Sequence, residues 1–162
     1  MIAGDLNALI AQHFPGARLS MSERLTGGVS ADVYRLDLAF EDGRTRRIVL
    51  RAHGATHSGH DPAFEFQLLR ALHEAGVPVP EVFAVDTSRR FLEHPYLLMD
   101  FVDGSTGIPD DAVDAHLVRL ADALAAVHKT SLEGLPALPD RGDVSTAELV
   151  SYLPPDAEWN RA

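Results

Sequence analysis

The sequence predicts an α+β fold: five strands, the first three an antiparallel meander, with a helix inserted between the third and the fourth. Three observations predict it. Residues 32–40 and 45–52 alternate apolar and polar side chains on either side of Glu41-Asp42-Gly43-Arg44, the pattern of two half-buried strands joined by an Asp-Gly turn. Phe64, Leu68, Leu69 and Leu72 then recur at helical spacing, so the buried period changes from two to 3.6. Two further apolar runs, 82–85 and 96–102, precede a second long helical stripe over 109–128. Strands with an inserted helix make a two-layer arrangement, a twisted sheet covered on one face.

Each element has a local cause. Residues 5–14 carry Leu6, Leu9, Ile10 and Phe14 on a helical stripe that stops before Pro15-Gly16. Residues 21–26 and 32–40 read as the first two strands. In the second, Tyr34, Leu36 and Leu38 share a face, opposite Val33, Arg35 and Asp37. In the third, 45–52, Ile48 and Leu50 oppose Val49 and Arg51. Asp61-Pro62 opens the inserted helix as cap and first helical residue, and Gly76 after Ala75 closes it. Val77-Pro78-Val79-Pro80 is stiff and leads into the fourth strand. The fifth is apolar throughout, which suits an interior strand. The helix over 109–128 presents Val113, Leu117, Leu120, Ala121, Leu124 and Val127, and beyond Thr130 only 146–152 has a weak helical pattern.

The 162 residues suit one domain or one large lobe of something bigger, with 46% hydrophobic and 23% charged residues. A net charge of −10, from 24 acidic and 14 basic residues, argues against a nucleic-acid surface, which needs a basic patch. It leaves room for a small anion held by local donors. The absence of cysteine removes disulfides, thiolate metal sites and a thiol nucleophile. There is no leader-like N-terminus and no apolar run of membrane-spanning length, so a cytoplasmic protein without membrane contact is expected.

Leu25-Thr26-Gly27-Gly28-Val29-Ser30-Ala31-Asp32 joins the first two strands. Glycines there let phosphate oxygens approach backbone N–H groups; the same Gly-Gly is also an ordinary hairpin turn. Arg51, near the end of an apolar strand, is either a solvent-facing residue or an anion-holding cation paired with Glu65, one turn into the following helix. His53, His57 and His60 with Asp61 have a spacing that could suit a metal, but a solvated loop is the simpler reading. His128 suits a helix C-terminus. No nucleophile elbow, zinc motif or Gly-x4-Gly-Lys-[Ser/Thr] loop is present.

Taken in order, the phrases LTGGVSADVYRL, IVLRAHG, HDPAFEFQLLRALHEAGVPVPEV, YLLMDFVDG and LADALAAVHKTSLEGL resemble the N-terminal, nucleotide-binding lobe of the aminoglycoside phosphotransferase/choline kinase-like family. The resemblance runs from about Leu25 to Leu135. It implies a protein-kinase-like lobe with a five-stranded antiparallel sheet over residues 1–104, including the hinge, and the start of a second lobe over 105–162. It further implies that Gly27, Gly28 and Ser30 cover the ATP phosphates. Arg51 would take the place of the usual third-strand Lys on the α- and β-phosphates, with Glu65 as its partner. Met99 would border the adenine pocket, and Asp100 and Val102 would offer backbone C=O and N–H to adenine.

The family also carries an HGDxxxxN loop and a later Asp, which orient the acceptor hydroxyl and bind Mg²⁺. Neither motif occurs in these residues, and Gly142-Asp143 lacks the flanking His and Asn. The resemblance therefore implies an ATP-binding lobe, from an excised segment or a truncated gene, with no catalytic or metal-binding residues of its own and no activity alone. Mg-ATP would be the cofactor of the complete enzyme, and a small hydroxyl-bearing acceptor would bind only with the second lobe. The rival expectations are a non-enzymatic nucleotide-binding or protein-interaction module, and a catalytic lobe supplied by a separate chain. An uncovered apolar surface would favour self-association under either of the first two.

Overall fold

The computed structural model describes residues 5–26, 31–54, 61–104, 107–131 and 133–137. Gly27, Gly28, Ser30, His57, His60, Gly142-Asp143 and the weak helical stretch over 146–152 lie outside them. A first helix α1 (Leu6–His13) is capped by Asp5, whose Oδ1 accepts from Ala8 N at 2.9 Å. Three strands follow, β1 (Ala17–Leu25), β2 (Asp32–Phe40) and β3 (Thr45–Ala52), then helix α2 (Pro62–Glu74), strands β4 (Val82–Asp86) and β5 (Tyr96–Asp100), a 3-10 turn (Asp110–Ala112) and helix α3 (Val113–Lys129). The five strands form one antiparallel sheet in the order β1-β2-β3-β5-β4.

Local chemistry accounts for the boundaries. Gly43, at φ +83°, takes the left-handed turn between β2 and β3 while Asp42 Oδ1 accepts from Arg44 N at 3.0 Å. Helix α2 begins as the sequence predicts, with Asp61 Oδ1 accepting from Ala63 N at 3.0 Å and Pro62 in the first turn. It ends in a Schellman motif: Gly76 N–H bonds His73 C=O and Val77 N–H bonds Leu72 C=O.

Three boundaries differ from expectation, the first being that α3 starts at Val113 rather than 109, after the 3-10 turn. Strand β1 starts at Ala17 rather than residue 21, because a bulge between Leu19 and Met21 interrupts the alternation a reader would follow. Ser20 sits in that bulge, its hydroxyl donating to Asp37 C=O at 2.8 Å. Strand β5 ends at Asp100 rather than at 102, since residues 101–104 leave the ladder.

Directly paired residues in an antiparallel sheet share a face, so the register sorts the side chains. One face carries Tyr34, Leu36 and Leu38, then Ile48, Leu50 and Ala52, then Tyr96 and Leu98; all are buried in one cluster with Leu9 and Ile10 of α1 and with Leu92. At about 1.5–3 kcal/mol per large apolar side chain, this closed face holds the lobe together. The opposite face carries Val33, Arg35, Val49, Arg51, Leu97 and Met99. The sheet is thus covered on both sides rather than one, by α1 on the closed face and by α2 over the β4–β5 end of the other, where Leu97 is fully buried.

Polar groups also cross the closed face. His13 Nε2 lies 2.9 Å from the Tyr96 hydroxyl, which donates to Asp86 Oδ2 at 3.4 Å, while Asp86 Oδ1 accepts from Ser88 N and Oγ at 2.6 Å. Burial lowers the His13 pKa, and the nearby Asp86 charge offsets only part of that. Burial also raises the Tyr96 pKa, with Asp86 adding to the shift, so its hydroxyl stays protonated.

Helix α3 forms where the stripe predicts, but its apolar positions stand open: Val113, Leu117, Leu120, Leu124 and Val127 are exposed, Leu120 at 65%. Among the described residues no helix is long and apolar enough to cross a membrane.

Candidate functional site

The site is built on the open face. Strand alternation turns Arg51 away from the Leu50 core, and the cap at Asp61-Pro62 starts α2 so that Glu65 falls in its first turn, facing the sheet. Arg51 Nη1 donates to Glu65 Oε1, with the side chains 28% and 19% exposed. A half-buried pair of this kind is oriented by its surroundings, unlike a floppy surface pair. The bond to Glu65 occupies one of five guanidinium N–H donors, so Arg51 retains donors for an anion.

His53 sits two residues beyond Arg51 in the chain. It is 5% exposed, its backbone N–H donates to Pro95 C=O at 2.9 Å, and its Nε2 lies 3.7 Å from Glu65 Oε2. The expectation of a solvated loop therefore fails at His53, which is buried beside the Glu65 carboxylate. Among the described residues no three His, Asp or Glu converge as metal ligands.

Apolar residues flank the cation. Val33 and Leu97 pair with Arg51 on its two sides, and one step along the strands Arg35, Val49 and Met99 form the next row. Met99 is half-buried and follows Leu97 on the open face of β5, while the Asp100 side chain turns to the other face. The backbone then runs out of the sheet through Phe101 and Val102, the latter 67% exposed. At the other end, the loop that contains Gly27, Gly28 and Ser30 is closed at its base by an Arg24–Asp32 ion pair between β1 and β2. Gly27, Gly28 and Ser30 themselves lie outside the described residues.

Two other open-face arginines, Arg35 and Arg47, are held by carboxylates. Arg35 lies 3.2 Å from Glu23 and 3.0 Å from Asp37, and Arg47 forms a two-pronged pair with Asp103. The face thus sets the apolar side chains of Val33, Val49 and Met99 beside the Arg51 guanidinium, a cation suited to an anionic group. Residues 22–160 match the phosphotransferase enzyme family. The chain belongs to that family. It is also similar to the crystal structure of a "putative aminoglycoside phosphotransferase" from Ralstonia eutropha JMP134, with a TM-score of 0.60 and 23% identity. That likeness covers 85% of this chain and 40% of the other, so the chain spans well under half the length of the structure it matches. The shared feature is the kinase-like α+β fold. No curated protein matches the sequence.

Within this phosphotransferase-family fold, the structure brings together Arg51, Glu65 and Met99 and places Asp100 and Val102 where the chain leaves the sheet. Sequence reasoning missed His53 as a neighbour of Glu65. The signal was present: at a strand period of two, Arg51 and residue 53 point the same way. The Arg47–Asp103 pair was also missed, because its partners are 56 residues apart in the chain and no local pattern links them.

Proposed function

We propose that this chain is the ATP-binding lobe of a small-molecule phosphotransferase, an enzyme that moves the γ-phosphoryl group of ATP to a hydroxyl of its acceptor. The observation that carries the reading is the Arg51–Glu65 pair on the half-open face of β3, flanked by Val33, Val49 and Met99. A cation fixed by a carboxylate on a packed helix is pre-organised for phosphate. In this reading Arg51 holds the α- and β-phosphates, Gly27, Gly28 and Ser30 close over them, and Met99 borders the adenine. Asp100 C=O and Val102 N–H meet its edge. Mg²⁺ would arrive with the nucleotide.

The nucleotide lobe and hinge occupy residues 1–104, and 105–162 begin the acceptor-binding part. The 162 residues contain no HGDxxxxN segment, so we infer that by themselves they bind ATP without transferring phosphate. Such chemistry belongs in the cytoplasm, where ATP is supplied. The acceptor is a small hydroxyl-bearing molecule.

Calorimetric titration with Mg-ATP tests this, beside Arg51→Ala. Saturable binding that the variant weakens about tenfold supports the reading; absence of binding at millimolar ATP overturns it. A second reading, a protein-interaction module, is favoured by the exposed apolar stripe of α3. It expects concentration-dependent self-association in gel filtration and no response to ATP.

A further inference from the structure

Adjacent residues in a strand point to opposite faces, and in β3 two adjacent residues are both arginines at the end where the chain leaves β5. On the closed side, Arg46 Nη2 lies 3.4 Å from Glu81 Oε2 and 3.5 Å from Asp100 Oδ1, and its guanidinium stacks 4.2 Å over the Phe83 ring. The Asp100 N–H donates to Glu81 C=O at 2.8 Å, so Arg46 grips a point where β4 and β5 already meet. On the open side, Arg47 Nη1 donates to Asp103 Oδ1 at 2.8 Å and Nη2 to Asp103 Oδ2, the fork that arginine offers a carboxylate.

Between these two points lies Phe101. Its N–H reaches Arg47 C=O at 3.4 Å, and its ring has the Arg47 guanidinium 5.1 Å from its centre. The Arg35 guanidinium is 5.9 Å from it on the same face, held in turn by Glu23 and Asp37. Three kinds of contact thus converge on Asp100, Phe101 and Asp103: ion pairs at the two aspartates, cation–π contacts at Phe101, and a backbone bond at Phe101. A solvent-exposed connection has no need of this if it serves only to join two elements.

We infer that Arg46 and Arg47 form a two-sided clamp that fixes residues 100–103 against β3, and that the clamp positions this segment to meet the base of a bound nucleotide. The inference rests on the nucleotide reading above. Arg46 and Arg47 are positioning residues: they act through Asp100, Phe101 and Asp103. Because the base and not the phosphates would sense the clamp, its loss has a distinctive signature.

The test is a calorimetric comparison of Mg-ATP with inorganic tripolyphosphate on the full chain, using Arg47→Gln, Asp103→Asn and the reciprocal Arg47→Asp/Asp103→Arg. The clamp expects Arg47→Gln and Asp103→Asn each to weaken Mg-ATP about fivefold, with tripolyphosphate within about twofold of the parent. It expects the reciprocal variant to recover most of the ATP affinity. Equal losses for both ligands would make Arg47 a general source of positive charge and overturn the clamp. Unchanged ATP affinity in both single variants would overturn it too, leaving the nucleotide reading intact. A parent chain that binds ATP no better than tripolyphosphate would instead remove the nucleotide reading, and the clamp's role with it.

Discussion

The two faces of β3 lie one residue apart and obey opposite rules. Ile48 and Leu50 are fully buried in one cluster with Leu9 and Ile10 of α1. Val49 and Arg51, between and beside them, look onto a face that α2 covers only at one end. The closed face gains its free energy from area removed from water. The open face holds a guanidinium at partial burial, which is tolerable because Glu65 meets it. Stability and recognition separate along β3: Ile48, Leu50 and Ala52 belong to the core, while Val49 and Arg51 lie on the face proposed to meet a ligand.

The strongest test of that division is Leu50→Ala. Removing a fully buried leucine should cost about 2–5 kcal/mol in urea unfolding, while the molecules that remain folded keep their ATP affinity. Glu65→Gln, on the other face, should cost only about 1 kcal/mol and weaken ATP several-fold, measured by the same denaturation and calorimetry. If the two variants affected stability and binding in the same proportion, the faces would not be separate.

The His13–Tyr96–Asp86 network sharpens the closed face further. The His13 pKa is lowered from 6.5 in the folded chain, so below that pH the unfolded chain binds more protons. Unfolding free energy should therefore decline as pH falls through 6.5 and on through the lowered folded value. Thermal melts across pH 7.5 to 5 check the sign, and His13→Gln should flatten this contribution to the slope. The smallest effect belongs to α3: Leu120→Ser, on a side chain already 65% exposed, should change stability by under about 0.5 kcal/mol.

Much of the fold was legible because its signals are local. The Asp42-Gly43 turn, the Asp61-Pro62 start of α2 and the Gly76 stop each act within a few residues. The β2 and β3 alternation puts Leu36 and Leu50 on faces opposite to Arg35 and Arg51 in their own strands. The start of β1 was not legible, since a bulge at Ser20 shifts the register by one and breaks the period. The stripe of α3 located the helix but not its exposure, because periodicity identifies a shared face without saying what lies against it.

In the site, strand alternation and helix phase made the Arg51–Glu65 pairing one of two readings of Arg51, the other being a solvent-facing residue. The burial of His53 required knowing that Pro95 comes back beside it, and the Arg46–Asp100 and Arg47–Asp103 pairs required the strand order, which places β5 beside β3. Those are long-range facts, and no window of local sequence contains them.

The proposed function requires the open face of β3, rather than any other surface, to receive the nucleotide. It is tested most directly by assigning the backbone amides and following them by NMR during an Mg-ATP titration. Saturable shifts concentrated at Val33, Val49, Arg51, Leu97, Met99 and Val102, with Tyr34, Leu36 and Leu38 nearly still, are the expected result. Shifts centred on α1 or spread evenly over the chain, or none at millimolar ATP, would contradict it.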